Sequence, residues 1–299
     1  MADSKGYGSD TGSIPDGFRF FHRRQKRKPK KLMIPTDNDI SRLDYQHYVY
    51  RQIFHGNFSA NMDELLTDGI RVLDIGCGTG RWSLEMAQDY PSSSFTGIDM
   101  VDLIPKTGIP NNFSFTKANI LKGLPFKDNT FDYTFQRLMT GTFSPNDWQN
   151  VVKELARVTK PGGWVELVEA SFALERAPSS YEKFHQASVA ATQMGNFDVT
   201  LANNLGNLLQ PHLINIEADF VSCPIGWNGR VGDLCSRNLE TFFSAVRPMM
   251  GPILRLGDAE YSEYTTTMTK DFTKCKTWGR VPYAFGQKPN VYVQKPRRR

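Results

Sequence analysis

The sequence predicts an α/β fold in which a mostly parallel sheet carries helices on both faces. Short apolar segments alternate with amphipathic helical segments from about residue 71 to residue 170, and this alternation is typical of strand–helix–strand units. A glycine-rich turn joins the first apolar segment to the helix after it, as in open α/β sheets that bind ligands at the carboxyl ends of their strands. The 299 residues suffice for one large domain of this kind.

Hydrophobic periodicity places the elements in order along the chain. The core strands are predicted at 71–75, 94–99, 113–117, 131–136 and 163–170, with helices at 81–90 and 147–158. An aromatic amphipathic helix precedes them, from about residues 37–39 to Phe54, and a short one follows at about 61–66. Beyond residue 171 we predict helices within 179–210, interrupted at Gly195 and Gly206, and at 238–256 and 258–277, with strands at 215–223 and 280–287.

The glycine-rich turn is the segment VLDIGCGTG, Val72 to Gly80. Only glycine lets a strand turn sharply into a helix while a ligand approaches the backbone, because it has no Cβ to clash. The helix that follows offers free N–H groups and the positive end of its dipole. The spacing is G-x-G-x-G rather than G-x-G-x-x-G, so a ligand without a pyrophosphate fits better than a dinucleotide. A nicotinamide-dependent oxidoreductase is therefore the disfavoured alternative.

Polar residues close the strands around this turn. Asp74 ends the first strand, where it can accept hydrogen bonds from loop N–H groups or bind a ligand ammonium through water. Asp99 ends the second strand, nineteen residues after Gly80, at the position where a carboxylate reaches ribose hydroxyls. Asn119 follows the third strand, where it can read an adenine amino group beside the backbone of Ile120, and Gln136 lies near the end of the fourth. An adenosine-type ligand at this edge is the prediction.

Three segments resemble, in the right order, the motifs of class I S-adenosylmethionine-dependent methyltransferases. They are VLDIGCGTGRWSLEMAQDYPSSSFTGIDM, GLPFKDNTFDYTFQRLM and ELARVTKPGGWVELVE, which lie between Arg71 and Glu169. The flanking segments RLDYQHYVYRQIFHGNF and GQKP are similar to those of a fungal subgroup, the LaeA-like methyltransferases, which are linked to regulation of secondary metabolism.

The resemblance implies a Rossmann-like domain over residues 36–289, with a seven-stranded sheet whose last strand runs antiparallel near Val281. Its core would span 70–170, after an N-terminal helical arm, and residues 171–280 would form a helical lid on the acceptor side. Tails at 1–35 and 290–299 are predicted to lie outside the domain, the first of them disordered and basic. We expect S-adenosylmethionine to contact Asp74, Gly76, Cys77, Gly78, Gly80, Asp99, Met100, Asn119, Ile120 and Gln136.

The acceptor of the methyl group is a small molecule or a protein side chain on this interpretation. Methyl transfer from a sulfonium needs alignment and exclusion of water, and a base only when the acceptor must lose a proton. His47, His55 and Glu169 are the candidate bases, although a histidine beside aromatic residues is more often a packing or surface residue. A different hypothesis is a regulatory protein that keeps the fold and the cofactor but acts through protein partners.

The positive charge of the chain is concentrated at two places. The net charge is +5, but Arg23 to Lys31 holds seven basic residues in nine positions, and the chain ends in three arginines. The first stretch is interpreted as a nuclear import signal or a solvated tail. A nucleic-acid contact is less favoured because interleaved aromatic residues are missing. The four cysteines form no CxxC pair and no apolar run reaches 18 residues, so we expect an intracellular protein, cytoplasmic or nuclear, without a metal or membrane span.

Overall fold

A computed structural model describes residues 14–22 and 41–290 of the chain, and these form one α/β sheet with helices on both faces. The strands are β1 Arg71–Ile75, β2 Ser94–Asp99, β3 Phe113–Lys117, β4 Phe131–Arg137, β5 Thr159–Val168, β6 Leu174–Glu175, β7 Ile214–Pro224 and β8 Trp278–Gln287. The helices are α1 Arg42–Ile53, α2 Asp63–Asp68, α3 Arg81–Asp89, α4 Pro145–Val158, α5 Ser179–Met194, α6 Leu205–Leu209, α7 Gly229–Leu254 and α8 Asp258–Cys275. Short 3₁₀ segments lie at Ile120–Lys122 and Val199–Asn204. None of the helices described is long and apolar enough to cross a membrane.

The sheet has the order β3-β2-β1-β4-β5-β8, and both β6 and β7 pair with β8. Strands β1 to β5 are parallel, whereas β8 runs antiparallel to β5, β6 and β7. The predicted α/β class and the antiparallel last strand are therefore confirmed. The sheet contains eight strands rather than seven, because Leu174–Glu175 adds a two-residue strand that is too short to show any alternation of polarity.

Each face of the sheet is covered by its own group of helices. On one face lie α1, α2 and α3, where the ring of Trp82 stacks on Phe135 with centroids 4.0 Å apart. On the other lie α4 and α6, whose Trp148 and Leu209 are fully buried. A third cluster joins α5, α7 and α8 through residues such as Phe243 and Phe272. These helices pack beyond the carboxyl ends of the strands, over the region where a ligand is expected.

The expectation of disorder up to residue 35 is wrong for residues 14–22. The backbone N–H of Arg19 donates to Ser222 Oγ at 2.8 Å, and the backbone N–H of Ser222 donates to the Arg19 carbonyl oxygen at 2.9 Å. Phe21 is buried against Phe54 and Tyr283. Aromatic surface and the free edge of β7 together order this segment. The rest of the predicted N-terminal tail and all but the first residue of the predicted C-terminal tail lie outside the described residues.

The predicted lid, 171–280, is only partly separate from the core. Strand β7 belongs to the main sheet and α6 packs on its core, so α5, α7 and α8 alone form the outer cluster. Helix α7 begins at Gly229 rather than near Asn238, because Gly229 and Gly232 hide its first turns from a periodicity analysis. Strand β5 begins at Thr159 rather than at residue 163, and the Pro161-Gly162-Gly163 segment lies inside the strand. The domain limits themselves stay predictions.

Candidate functional site

The carboxyl ends of β1, β2, β4 and β5 open into a cavity of about 500 Å³. Its floor is the turn between β1 and α3 together with the loop after β4, and its roof comes from α1, α5 and α7. A volume of this size is typical of small-molecule sites. The sequence prediction that ligands meet this edge of the sheet therefore coincides with the position of the cavity.

The glycine turn has the backbone geometry that its sequence predicts. Gly76, Gly78 and Gly80 all have positive φ, at 66°, 55° and 72°. A Cβ on Gly76 would lie 2.5 Å from the sulfur of Met139, so a larger residue would have to displace the Met139 side chain and adopt a left-handed backbone conformation. The N–H groups of Gly76 and Cys77 donate to the carbonyl of Ile98, and this contact ties the turn to β2.

Asp99 is oriented by backbone hydrogen bonds at the end of β2. Its Oδ2 accepts a hydrogen bond from the N–H of Gly78 at 2.9 Å, and its Oδ1 accepts one from the N–H of Val101 at 3.1 Å. The side chain is partly exposed and lines the cavity. The carboxylate thus bridges the turn and the second strand, and its remaining lone pairs are free to accept from a ligand hydroxyl.

Asp74 lies deeper, with only 4% of its surface exposed. Its Oδ2 accepts a hydrogen bond from the hydroxyl of Ser83 at 2.7 Å. Burial raises the pKa of Asp74 to about 7, because the charged form loses its hydration. A cationic ligand group in the cavity would favour the ionised form, which this carboxyl is therefore poised to adopt on binding.

Helix α1 is fastened to the glycine turn by one carboxylate. Ser41 caps the helix by accepting from the N–H of Asp44. Asp44 in turn accepts from the Thr79 hydroxyl at 2.6 Å and lies 3.1 Å from a guanidinium nitrogen of Arg81. The predicted N-terminal helical arm therefore lies directly over the turn, as part of the cavity wall.

His47 belongs to a buried polar network and faces the cavity from α1. Its Nδ1 lies 3.0 Å from a guanidinium nitrogen of Arg137, and its Nε2 lies 3.1 Å from Glu85. Arginine can only donate, so Nδ1 is the acceptor and the proton of the neutral ring sits on Nε2. Burial lowers the pKa of His47 to about 4. The Nδ1 lone pair of His47 is therefore already occupied by Arg137 in this arrangement.

Glu169 lines the cavity just beyond β5 and is fully buried. It accepts hydrogen bonds from the N–H groups of Met139 and Thr140, both at 3.0 Å, and from the Thr140 hydroxyl at 2.6 Å. Burial raises its pKa to about 7. This carboxyl fixes the loop after β4, which closes one side of the cavity. The neighbouring Glu166 has the corresponding effect on the connection between α1 and α2, where it accepts from the N–H groups of Ser59 and Ala60.

Several predicted site residues do not line the cavity. The predicted cofactor contacts divide into Asp74, Gly76, Cys77, Gly78 and Asp99 at the cavity wall, and Gly80, Met100, Asn119, Ile120 and Gln136 away from it. Gly80 begins α3 and packs near Ile104, and Ile120 is a core residue. The side chain of Asn119 accepts from the N–H of Leu121. His55, a candidate base, is exposed and also outside the wall.

Met100 and Gln136 also lie outside the cavity wall. Met100 is 56% exposed beside Asp99. Gln136 is completely buried, and neither atom of its amide has a hydrogen-bond partner among the described residues. Cofactor contacts by these residues stay predictions.

Sequence analysis missed the residues that line the far half of the cavity. They come from α5, α7 and the segment after β5, and include Phe172, Tyr181, Phe184, Asn238, Leu239 and Phe242. The signal available was a helical stripe, because Cys235, Leu239 and Phe242 recur at intervals of three to four residues. Such a stripe does not distinguish a cavity wall from a packed core. Over residues 14–22 and 41–290, no three His, Cys, Asp or Glu side chains are grouped to hold a metal ion.

Comparison with known proteins agrees with this geometry. A family model described as a methyltransferase domain matches residues 72–163, from β1 into β5. Over these residues the chain carries a methyltransferase domain, and it resembles the class I S-adenosylmethionine-dependent methyltransferases. This methyltransferase also resembles LaeA-like proteins: it is 32% identical over 135 residues to the secondary metabolism regulator laeA of Aspergillus niger, a match that covers 43% of this chain and 36% of that protein.

Other relatives match over a longer part of the methyltransferase. It is 28% identical over 217 residues to the N-methyltransferase sirN of Leptosphaeria maculans, covering 70% of this chain and 76% of that protein. It is 29% identical over 200 residues to the methyltransferase str3 of Strobilurus tenacellus, covering 64% and 70%. Among solved structures, a Haemonchus contortus phosphoethanolamine N-methyltransferase 2 with bound S-adenosyl-L-methionine gives a TM-score of 0.48 at 16% identity, covering 83% of this chain and 57% of that chain.

Proposed function

We propose that this methyltransferase binds S-adenosylmethionine on the glycine turn and transfers its methyl group to an acceptor held in the far half of the same cavity. The observation that carries the proposal is the Asp99 carboxylate, held by the N–H of Gly78 at the cavity wall. Strand, glycine turn, helix and acid occupy the positions from which an open α/β sheet contacts the ribose of an adenosine-type ligand.

The residues present fit the cofactor. Gly76 and Gly78 line the cavity with backbone alone, so a ligand can approach the turn without meeting a Cβ. Asp74 and Arg137 place a carboxyl and a guanidinium in the cavity wall, and these groups complement the ammonium and carboxylate of an amino acid. Asp99 would accept hydrogen bonds from ribose hydroxyls. When bound, S-adenosylmethionine supplies an electrophilic methyl group on its sulfonium.

The chain's own residues would then align the acceptor and exclude water. Helix α1 roofs the turn through Asp44, and Glu169 holds the loop after β4 in place, so both sides of the reacting centre are fixed before an acceptor binds. For an acceptor that must lose a proton, Glu169 is better suited than His47, whose acceptor nitrogen is occupied by Arg137.

A second candidate function follows from the similarity to proteins named secondary metabolism regulators. On this proposal the methyltransferase acts through regulatory protein partners while retaining the cofactor. On the basis of the basic stretch Arg23 to Lys31, we propose that the protein is located in the nucleus or the cytoplasm. Both functions require the cofactor site, so the first experiment addresses that site.

The test is a calorimetric titration of the full chain with S-adenosylmethionine and S-adenosylhomocysteine, with NAD as the control ligand. We expect one site per chain for both and none for NAD. Asp99→Ala should weaken binding at least tenfold, because it removes charge-assisted hydrogen bonds worth about 1.5–3 kcal/mol each. Asp102→Ala is the matched control, since Asp102 lies on the same loop outside the cavity wall. Equal affinities for the two variants would contradict the proposed site.

A further inference from the structure

The far half of the cavity is a chamber with apolar walls. We define the acceptor chamber by Phe172, Tyr181, Phe184, Leu239, Phe242 and Asn238. Phe184 and Phe243 pack edge to face with centroids 4.9 Å apart, and Phe172 and Phe242 do so at 6.1 Å. The aromatic walls are thus braced by the cluster of α5, α7 and α8, and rigid aromatic walls favour flat apolar ligands.

The side chains that α5 and α7 contribute to the wall of this chamber carry no charge. The lining residues contributed by α5 and α7 are aromatic, aliphatic, cysteine or asparagine, and none of them is ionisable to a cation or carboxylate. At the margin of the cavity, Arg280 is 2.6 Å from Glu175, and Glu169 accepts three hydrogen bonds from the loop after β4. A lysine or arginine side chain entering here would lose hydration without gaining an ion pair, which is costly.

Asn238 is the polar exception in the α7 wall. Its Oδ1 is buried and has no hydrogen-bond partner among the residues that the structure describes. A buried amide oxygen without a partner is rare in folded proteins. The amide oxygen and nitrogen can exchange places by a rotation of the side chain, so Asn238 can either donate to or accept from a ligand group in the chamber.

We propose that the methyl acceptor is an uncharged aromatic small molecule that fills the acceptor chamber and is oriented by one hydrogen bond to Asn238. This inference rests on the proposed methyl transfer, and it selects the small molecule over the protein side chain. The aromatic walls supply most of the binding free energy by burying apolar surface, and the single amide sets the orientation of the ligand.

The experiment uses two fluorescent probes of similar skeleton and different charge, measured on the full chain with saturating S-adenosylhomocysteine. N-phenyl-1-naphthylamine is neutral and carries one N–H donor, whereas 8-anilino-1-naphthalenesulfonate adds a negative charge. We expect the neutral probe to bind once per chain and more tightly than the sulfonate. Leu239→Trp should fill the chamber and weaken the neutral probe at least tenfold, and Asn238→Leu should weaken it about fivefold through one lost hydrogen bond.

Ala245→Trp is the matched control, because Ala245 is exposed on the same helix and lies outside the cavity wall. It should bind the neutral probe like the unmodified chain, and thermal unfolding confirms that each variant is folded.

Tighter binding of the sulfonate, equal effects of the two tryptophans, or displacement of the probe by a lysine-containing peptide would overturn the chamber proposal. Calorimetry with S-adenosylhomocysteine distinguishes a failure of the proposed function from a failure of the chamber proposal. Its failure in the unmodified chain would overturn the proposed function, and with it the acceptor role of the chamber. Intact cofactor binding combined with any of the other outcomes would overturn the chamber proposal alone.

Discussion

At the scale of single residues, the acidic side chains of this methyltransferase have different roles, which depend on the groups that donate hydrogen bonds to them. Asp99 orients the glycine turn and stays partly exposed, whereas Glu169 is completely buried and holds backbone N–H groups of the loop after β4. A carboxylate at the end of a core strand is predictable from sequence. Whether it binds a ligand or the chain itself depends on contacts made by residues distant in sequence.

Glu169 has a measurable effect on pH dependence. Its pKa is raised from 4.5 to about 7, so between these values the folded protein holds a proton that the unfolded chain releases. The free energy of unfolding therefore falls as the pH rises through this window, on the order of 3 kcal/mol from this group alone. Glu169→Gln, which does not titrate, should remove this slope in urea unfolding series at pH 4.5 to 7. Parallel pH profiles for the unmodified chain and the variant would contradict the prediction.

Sequence reasoning placed Asp74, Gly76, Cys77, Gly78 and Asp99 at the edge of the sheet where the cavity lies, because its rules are local. Asp74 and the three glycines follow from the order of strand, turn and helix, and Asp99 follows from the end of the next strand. Arg137 and Asn238 gain their significance only when α1 meets β4 and when α7 folds over the sheet. No spacing rule connects residues across those distances.

At the scale of elements, the N-terminal arm depends on a carboxylate in the middle of the sheet. Glu166 accepts from the N–H of Ser59 at 2.7 Å, from the N–H of Ala60 at 3.0 Å and from the hydroxyl of Tyr133 at 2.8 Å. All of these groups are inaccessible to solvent or nearly so. The strand β5 thus fixes the chain between α1 and α2, and so sets where α1 can lie over the cavity.

Replacing Glu166 should therefore loosen the arm. In the unmodified chain, three donors share the two carboxylate oxygens of Glu166. Glu166→Gln leaves only one acceptor oxygen for these donors, and we expect it to lower the free energy of unfolding by about 2–3 kcal/mol. Tyr133→Phe removes one hydrogen bond and should cost about 1 kcal/mol. Chemical denaturation gives both values, and hydrogen exchange of residues 42–60 should rise in the first variant more than in the second. An equal loss in both variants would show that the backbone contacts contribute little.

Strands β1 to β4 were predictable within a residue or two because each is a short apolar run bounded by turn residues. Helix α7 and the start of β5 were not, since glycine and proline occur inside both elements, where tertiary packing overrides local preference. The two-residue β6 exists only because β8 passes beside it. Sequence analysis does not detect an element that forms only through pairing with a neighbouring strand, because the element has no polarity pattern of its own.

At the scale of the whole molecule, residues 14–22 form part of the folded body. Phe21 is buried between Phe54 and Tyr283, whereas Phe20 is 46% exposed. Phe21→Ala should lower the free energy of unfolding by about 3 kcal/mol through lost burial, and Phe20→Ala should change it by less than about 0.5 kcal/mol. Urea denaturation measures both values. If the two variants were equally stable, this segment would contribute nothing to the fold.

The attachment of residues 14–22 changes the status of the basic stretch that follows them. Arg19 is bound to the edge of β7 on one side of the stretch, and Ser41 opens the helix that roofs the cavity on the other. The described residues on both sides of Arg23 to Lys31 are therefore held by the folded domain, one set at the edge of the sheet and the other over the cavity.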